Sequence, residues 1–383
     1  MTYKSSFTLT VEDYCRRFGG TFNAHTHADR FATLMASTDG KEPDENPLTS
    51  YSLWDKVTTT SDLHAGPAYS RTALTERIDR FLTLSAQCDT RRVDSFIDVD
   101  VDIPLGTGLG ALDVALEMKH KHRESIDFRV GAYVPTGFKK WDSEKRKLFE
   151  EAVSRADFIG ASPERDDWEF YPGAEDQIGL QEHFEWTLDL AISNNKPVHY
   201  HLDQQLSPLE RGTEGLINIL DTSSLGKKVA DLGKKEPLVW AVHAISPSTY
   251  TRERLDLMIK NMARLNIGLI CCPSAGLSMR KLPILNSPIP KSVAEVLPML
   301  DRRVKTRLGT DNVDDIFIPA NSLDLRQEVG TLANALRFYN VPLLAKLACG
   351  RDLSRRDRDF VTIHLSNEAK YLDNFRLSAD FPI

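Results

Sequence analysis

His25-Thr26-His27 closes a short extended run, Gly20-Thr21-Phe22-Asn23-Ala24, near the amino end of the chain. Side chains two apart on a strand share a face, so these two imidazoles can grip one metal ion from the floor of a pocket. The pair alone is a weak signal, because histidines on strands of soluble proteins are commonly packed or solvated. Much later, His201, His243 and Asp311 each end a strand-like apolar run of their own. Three imidazoles and one carboxylate suit Zn²⁺ or Fe²⁺, and a place left for water would make such a site catalytic rather than structural.

The elements that must position these residues follow from period and punctuation. After the His25 strand, β-rich runs fall at 93–99, 128–134, 157–161, 196–201, 237–243, 267–272 and 304–309. Helix-like stretches at 74–88, 112–121, 144–155, 180–194 and 247–263 alternate with them. Eight strands in βα alternation predict an α/β fold with a parallel sheet, closed as a (β/α)₈ barrel. In such a barrel chemistry sits at the carboxyl ends of the strands, where every member of the histidine–aspartate set falls. The connections 28–71 and 272–291, rich in polar residues, Pro and Gly, read as long loops of the kind that form lids or substrate walls. Roughly 70 residues follow Asp311, with helical patterns at 323–339 and 342–349, and read as a carboxyl-terminal helical extension of the barrel.

Composition narrows the function class. The 383 residues are 41% apolar and 27% charged, as in an ordinary globular enzyme. A formal charge of −7 and a pI near 5.9 provide no basic stripe for a phosphate backbone, so no nucleic-acid partner is expected. Five cysteines without framework spacing read as reduced thiols, with Cys271-Cys272 as strand residues. No amino-terminal signal core and no apolar run of about 18 residues is seen, so the expectation is a cytoplasmic protein without a membrane partner. A homo-oligomer is compatible with the sequence.

Several segments together resemble the amidohydrolase superfamily, and within it the cytosine deaminase-like branch. They are Asn23-Ala24-His25-Thr26-His27-Ala28-Asp29-Arg30, Ile97-Asp98-Val99-Asp100, the run from Arg155 to Pro163, the run from Pro197 to Asp203, and Leu308-Gly309-Thr310-Asp311-Asn312-Val313. The resemblance implies a TIM-type barrel of the metal-dependent hydrolase kind. It assigns His25, His27, His201 and Asp311 to one divalent metal, Zn before Fe, with His243 beside the metal-bound water. It implies hydrolysis of a C–N bond of a small molecule, Asp311 shuttling the proton and His243 polarising water or substrate. No strand-four lysine stands ready to bridge a second ion; Glu164 is the alternative bridge. Members of the family often add a β-sandwich, but only about 20 residues precede the first strand, so a single barrel domain over 1–383 is expected without it.

His199 and His201 lie two apart on one strand. His201 is nearer the carboxyl end and stands where the family places the ligand, so His199 reads as a hydrogen-bonded residue of a lower barrel layer. His64, His120, His122, His183 and His364 fall in loops or helix-like stretches and read as solvated, His64 being the strongest exception.

The sequence departs from the resemblance at two points. Gln204 stands where deaminases of this branch carry a glutamate, and an amide cannot protonate a ring nitrogen. Gln205, Glu210 or Asp203 are the candidate substitutes, although Asp203 would face away if the strand continued. Pro135-Thr136-Gly137 stands where a substrate-reading glutamine is expected. Both departures shift the expectation from deamination of an N-heterocycle to amide or cyclic-amide hydrolysis, with Gln204 as a further candidate site residue. A protein that binds metal and ligand without turnover, and a purely structural barrel, are the competing readings.

Overall fold

A computed structural model of the chain describes residues 4–38, 51–167, 175–279 and 291–376. Eight parallel strands run in chain order around one sheet: β1 (Thr21–His27), β2 (Thr90–Asp98), β3 (Asp127–Tyr133), β4 (Phe158–Ala161), β5 (Val198–Leu202), β6 (Val239–His243), β7 (Gly268–Cys271) and β8 (Thr306–Leu308). Helices connect successive strands, among them Arg71–Gln87, Gly110–Lys121, Ser143–Arg155, Leu180–Asn194 and Arg252–Arg264. This is the expected (β/α)₈ barrel, and the anticipated helical region after β8 is present as Leu325–Leu336, Val341–Ala348 and Arg355–Arg376.

The seam between β8 and β1 closes just beyond β8, where Thr26 and Asp311 form a parallel bridge. The Asn23 side chain stitches the same seam, donating to Thr310 Oγ1 at 2.8 Å and accepting the Thr310 N–H at 3.0 Å. The approach is close enough to require glycine at 309, where a Cβ would stand 2.7 Å from the His25 carbonyl oxygen and 2.8 Å from its Cβ.

Apolar burial occurs in two layers. The larger lies between the sheet and the surrounding helices, and the inner one fills the barrel with Phe22, Ala24, Trp240, Val242 and Ile270, beside the aromatic group Phe96, Tyr133 and Phe158. A Cβ on Gly160 would lie 2.8 Å from the Phe96 ring, so the bare backbone of β4 makes room for that ring beneath the site. Cys271 and Cys272 are buried, as expected of residues on and beside a strand.

Both expected long loops contain helices. The stretch 28–71 includes Leu53–Ala65, begun by a capping box in which Ser52 Oγ accepts the Asp55 N–H at 3.2 Å while Asp55 accepts the Ser52 N–H at 2.7 Å. The stretch 272–291 includes Pro273–Ser278. Positions 39–50 and 280–290 of these stretches lie outside the described residues. Among the described residues no helix is long and apolar enough to cross a membrane.

Candidate metal centre

His25 and His27 end β1, His201 lies near the end of β5, His243 ends β6, and Asp311 follows β8. The barrel brings all five to one end, and each is 5% exposed or less. Nε2 of His25 lies 3.0 Å from Nε2 of His201, and Nε2 of both His25 and His27 lies 3.4 Å from Asp311 Oδ1. One donor atom from each of His25, His27, His201 and Asp311 fits within 4.8 Å of the others. His243 stands to one side, its Nε2 3.8 Å from the other carboxylate oxygen, Oδ2.

The electrostatics favour a cation here. Burial lowers the pKa of His27 and of His243 to about 4 and that of His201 well below the usual imidazole range, so these rings are neutral near pH 7 and offer lone pairs. Burial alone would raise the Asp311 carboxyl, but its contacts with His25 and His27 prevail and hold it well below the carboxylate range. Asp311 Oδ1 is buried without a hydrogen-bond partner. Four donors around a zinc ion at its usual bond lengths stand about 3.3 Å apart, matching the 3.0 and 3.4 Å separations found. The residues therefore fit one divalent ion.

Packing fixes the donors. His201 Nδ1 lies 3.2 Å from the Tyr133 hydroxyl and 3.1 Å from the Ser162 hydroxyl, while those two oxygens are 2.9 Å apart. Such contacts engage Nδ1 and turn Nε2 toward the cluster. Phe96 lies edge-on to His25, with ring centroids 4.7 Å apart. The backbone is left-handed at Asp203, His243 and Asp311, with φ of 53°, 78° and 59°, so three strand ends hold costly conformations where the site residues gather.

A second carboxylate group, Asp29 and Asp98, adjoins His27. Arg30 grips Asp98 with two bonds of 2.7 Å, and His64 Nε2 and the Tyr69 hydroxyl reach the same carboxylate at 2.9 and 3.1 Å. Its charge is thus matched by side chains, which suits an ion-pair network.

Several expectations about individual residues are corrected. His64, named as the strongest exception to the solvated reading, is on a helix rather than in a loop and is buried on Asp98. His183 is also buried, its Nδ1 2.6 Å from Asp166 Oδ2. His122 packs 2.6 Å from Asp79 and His364 is half-buried against Phe338, whereas His120 is exposed. His199 occupies a lower layer as expected, but Nδ1 has no hydrogen-bond partner; the ring stacks on Phe158 at 4.5 Å instead. Glu164 does not join the cluster, because both its oxygens accept the Asp203 N–H, at 3.0 and 2.9 Å.

A small cavity of about 20 Å³ opens over the cluster. Gln204 and Pro135 line it, as do Leu53 and Val57 from the helix in the first long connection and Met279 from the second. Asp311 is its one lining carboxylate among the described residues. The proposed stand-ins for the absent glutamate are engaged elsewhere: Asp203 accepts the N–H groups of Gly212 and Thr213 at 2.8 and 3.0 Å, and Glu210 accepts that of Gln205 at 2.9 Å. Tyr133, Ser162, Arg165 and Phe317 were not singled out from sequence. Their only signal there was a place at or just after a strand end.

No protein-family model matches the chain. An uncharacterised protein of Haemophilus influenzae is 26% identical over 280 residues, 70% of this chain and 87% of the relative. Among solved structures, the 5-methylcytosine deaminase of Klebsiella pneumoniae with phosphonocytosine has a TM-score of 0.68 at 16% identity, covering 90% of this chain and 82% of its own. The N-isopropylammelide isopropylaminohydrolase of Burkholderia multivorans gives 0.61 at 20% identity, covering 87% and 75%. An atrazine chlorohydrolase of Arthrobacter aurescens complexed with zinc gives 0.54 at 16% identity, covering 87% and 71%. The likeness is one of fold: this chain and those enzymes share the (β/α)₈ barrel.

Proposed function

We propose that the protein is a hydrolase of the amidohydrolase superfamily that holds one divalent ion, zinc before iron, and cleaves a C–N bond of a small-molecule amide or cyclic amide. The observation that supports this most is the meeting of His25, His27, His201 and Asp311, from three separate strands, within one ion's reach at the carboxyl end of the barrel. The barrel shared with a zinc-complexed chlorohydrolase and with deaminases of small heterocycles supports the same reading.

The ion supplies the Lewis acidity that makes water nucleophilic near neutral pH. Asp311 turns Oδ1 to the imidazoles and leaves Oδ2 facing His243. In this reading Oδ2 accepts the proton of the attacking water and returns it to the leaving nitrogen. His243, neutral at working pH, donates from Nε2 to the oxygen that gains charge as the carbonyl is attacked. Gln204, in the cavity wall, orients the substrate amide by donating and accepting hydrogen bonds.

A second reading, deamination as in the cytosine deaminase-like branch, has in its favour the barrel shared with the 5-methylcytosine deaminase. Against it stand Gln204 and Pro135, which line the cavity where that chemistry needs a proton donor and a base reader. Incubation with a panel of lactams, hydantoins, pyrimidines and triazines separates the two. Acid formed without ammonia is the expected result, and ammonia release would favour deamination. His201→Ala and Asp311→Asn should both abolish turnover; hydrolysis that persists in metal-stripped protein would refute the proposal.

A further inference from the structure

The amino-terminal end of the barrel, away from the metal cluster, holds a cleft of about 250 Å³ that no part of the water-activating chemistry uses. Five cationic side chains line it, Arg303, Lys305, Arg307, Arg351 and Arg358, against one carboxylate among the described residues, Asp352. We infer that this cleft is a binding site for a phosphate group, free or carried by a small organic molecule. The site stands whether or not the hydrolase reading does.

The cleft forms where Lys305, just before β8, and Arg307, within it, meet the residues that follow the helix Val341–Ala348. Arg351 Nη2 donates to the Phe18 carbonyl at 2.6 Å and Arg358 Nη1 to that of Leu353, so each spends one N–H on main chain and keeps its charge. Neither of these guanidiniums, nor that of Arg303, has a carboxylate oxygen within 4.0 Å among the described residues. Arg307 is only 9% exposed and is short of negative charge. Its Nη2 donates to one oxygen of Glu236 at 2.6 Å, but Lys305 takes the other at 2.5 Å, and nearby Asp94 is gripped by Arg92 at 2.7 and 3.0 Å. Arg307 Nε is buried without a hydrogen-bond partner, and burial pulls the pKa of the group down. Its guanidinium carbon lies 4.3 and 4.8 Å from the ring centroids of Trp240 and Phe22, which hold it in the barrel floor.

An anion seated in the cleft supplies the charge that Glu236, shared between Lys305 and Arg307, leaves uncovered. Phosphate suits it better than carboxylate. Its oxygens point in several directions and carry up to two negative charges, matching cations that approach from two separate segments, 303–307 and 351–358, whereas the two oxygens of a carboxylate engage one guanidinium fork. The volume lies just under the roughly 300 Å³ at which small-molecule clefts begin. Leu300 and Leu353 add apolar wall for the body of a small ester.

Calorimetric titration of the full chain with inorganic phosphate and with glycerol 3-phosphate, at fixed ionic strength and both with and without zinc, tests this. At least one of the two should bind saturably, and combining Arg303→Gln with Arg351→Gln, both exposed positions, should weaken binding roughly 10- to 100-fold while the thermal midpoint without ligand stays unchanged. Binding should persist in metal-stripped protein, which separates this site from anion capture by zinc. Tighter binding of the ester supports an organic phosphate as the ligand, and equal or tighter binding of inorganic phosphate supports the free ion. No saturable binding of either, an affinity unchanged in the double variant, or binding that disappears with the zinc overturns the inference.

Discussion

The backbone N–H of Asp311 donates to the carbonyl oxygen of His25 at 2.9 Å. The first and last members of the cluster are thus joined through main chain at the seam that closes the barrel, while their side chains face each other at 3.4 Å. Metal affinity and barrel closure should consequently rise and fall together.

Gly309→Ala tests that coupling. The added methyl would press on backbone and Cβ atoms of His25, which cannot move without opening the seam. The expected cost is about 1–3 kcal/mol or more, read as a lower midpoint in thermal unfolding, together with weaker zinc retention. A variant with wild-type stability and affinity would show that the seam has slack.

Tyr133 and Ser162 are predicted to position His201. Removing either hydroxyl, as in Tyr133→Phe or Ser162→Ala, should weaken zinc binding by roughly 10- to 100-fold, measured by competition with a chromogenic chelator. Unchanged affinity in the double variant would mean that packing alone orients the ring.

The Arg30–Asp98 pair is buried on both sides. Asp98→Ala would strand the guanidinium and also take the partner of His64 Nε2, with an expected loss of about 3–5 kcal/mol in urea unfolding. A loss below about 1 kcal/mol, the scale of an exposed pair, would contradict the assigned role.

Glu328 gives the pH dependence a sign. Burial raises its carboxyl to about 7, although it accepts the Ser274 N–H at 2.9 Å. The folded state then binds this proton more tightly than the unfolded state, so the contribution is fully present below the ordinary glutamate pKa and is lost as pH rises through about 7. Glu328→Gln should flatten the decline in unfolding free energy between about pH 5 and pH 8, a difference on the order of 2–3 kcal/mol. Parallel curves for variant and wild type would refute it.

Much of this arrangement was legible in the sequence for a local reason. Each strand carries its own apolar run, so the barrel could be read directly, whereas His25, His27, His201, His243 and Asp311, far apart in the chain, were gathered by their places at strand ends and by the family resemblance. What escaped depends on long-range partners. The helix Leu53–Ala65 holds a run of threonines and reads as a polar loop, although Ser52 and Asp55 carry its capping signal. His64 and Asp98 stand 34 positions apart and Arg30 and Asp98 stand 68 apart, so their pairing appears only when the fold brings the helix Leu53–Ala65 and the residues just after β1 to the end of β2. Tyr133 and Ser162 likewise acquire meaning only from His201, on a neighbouring part of the barrel.

Metal content per chain, measured on desalted protein after zinc reconstitution with wild type beside His201→Ala, tests the central claim most directly. One retained ion per wild-type chain, and nearly none in a variant that remains folded by circular dichroism, is the predicted result. No zinc in the wild type, or equal retention in both, would contradict the account.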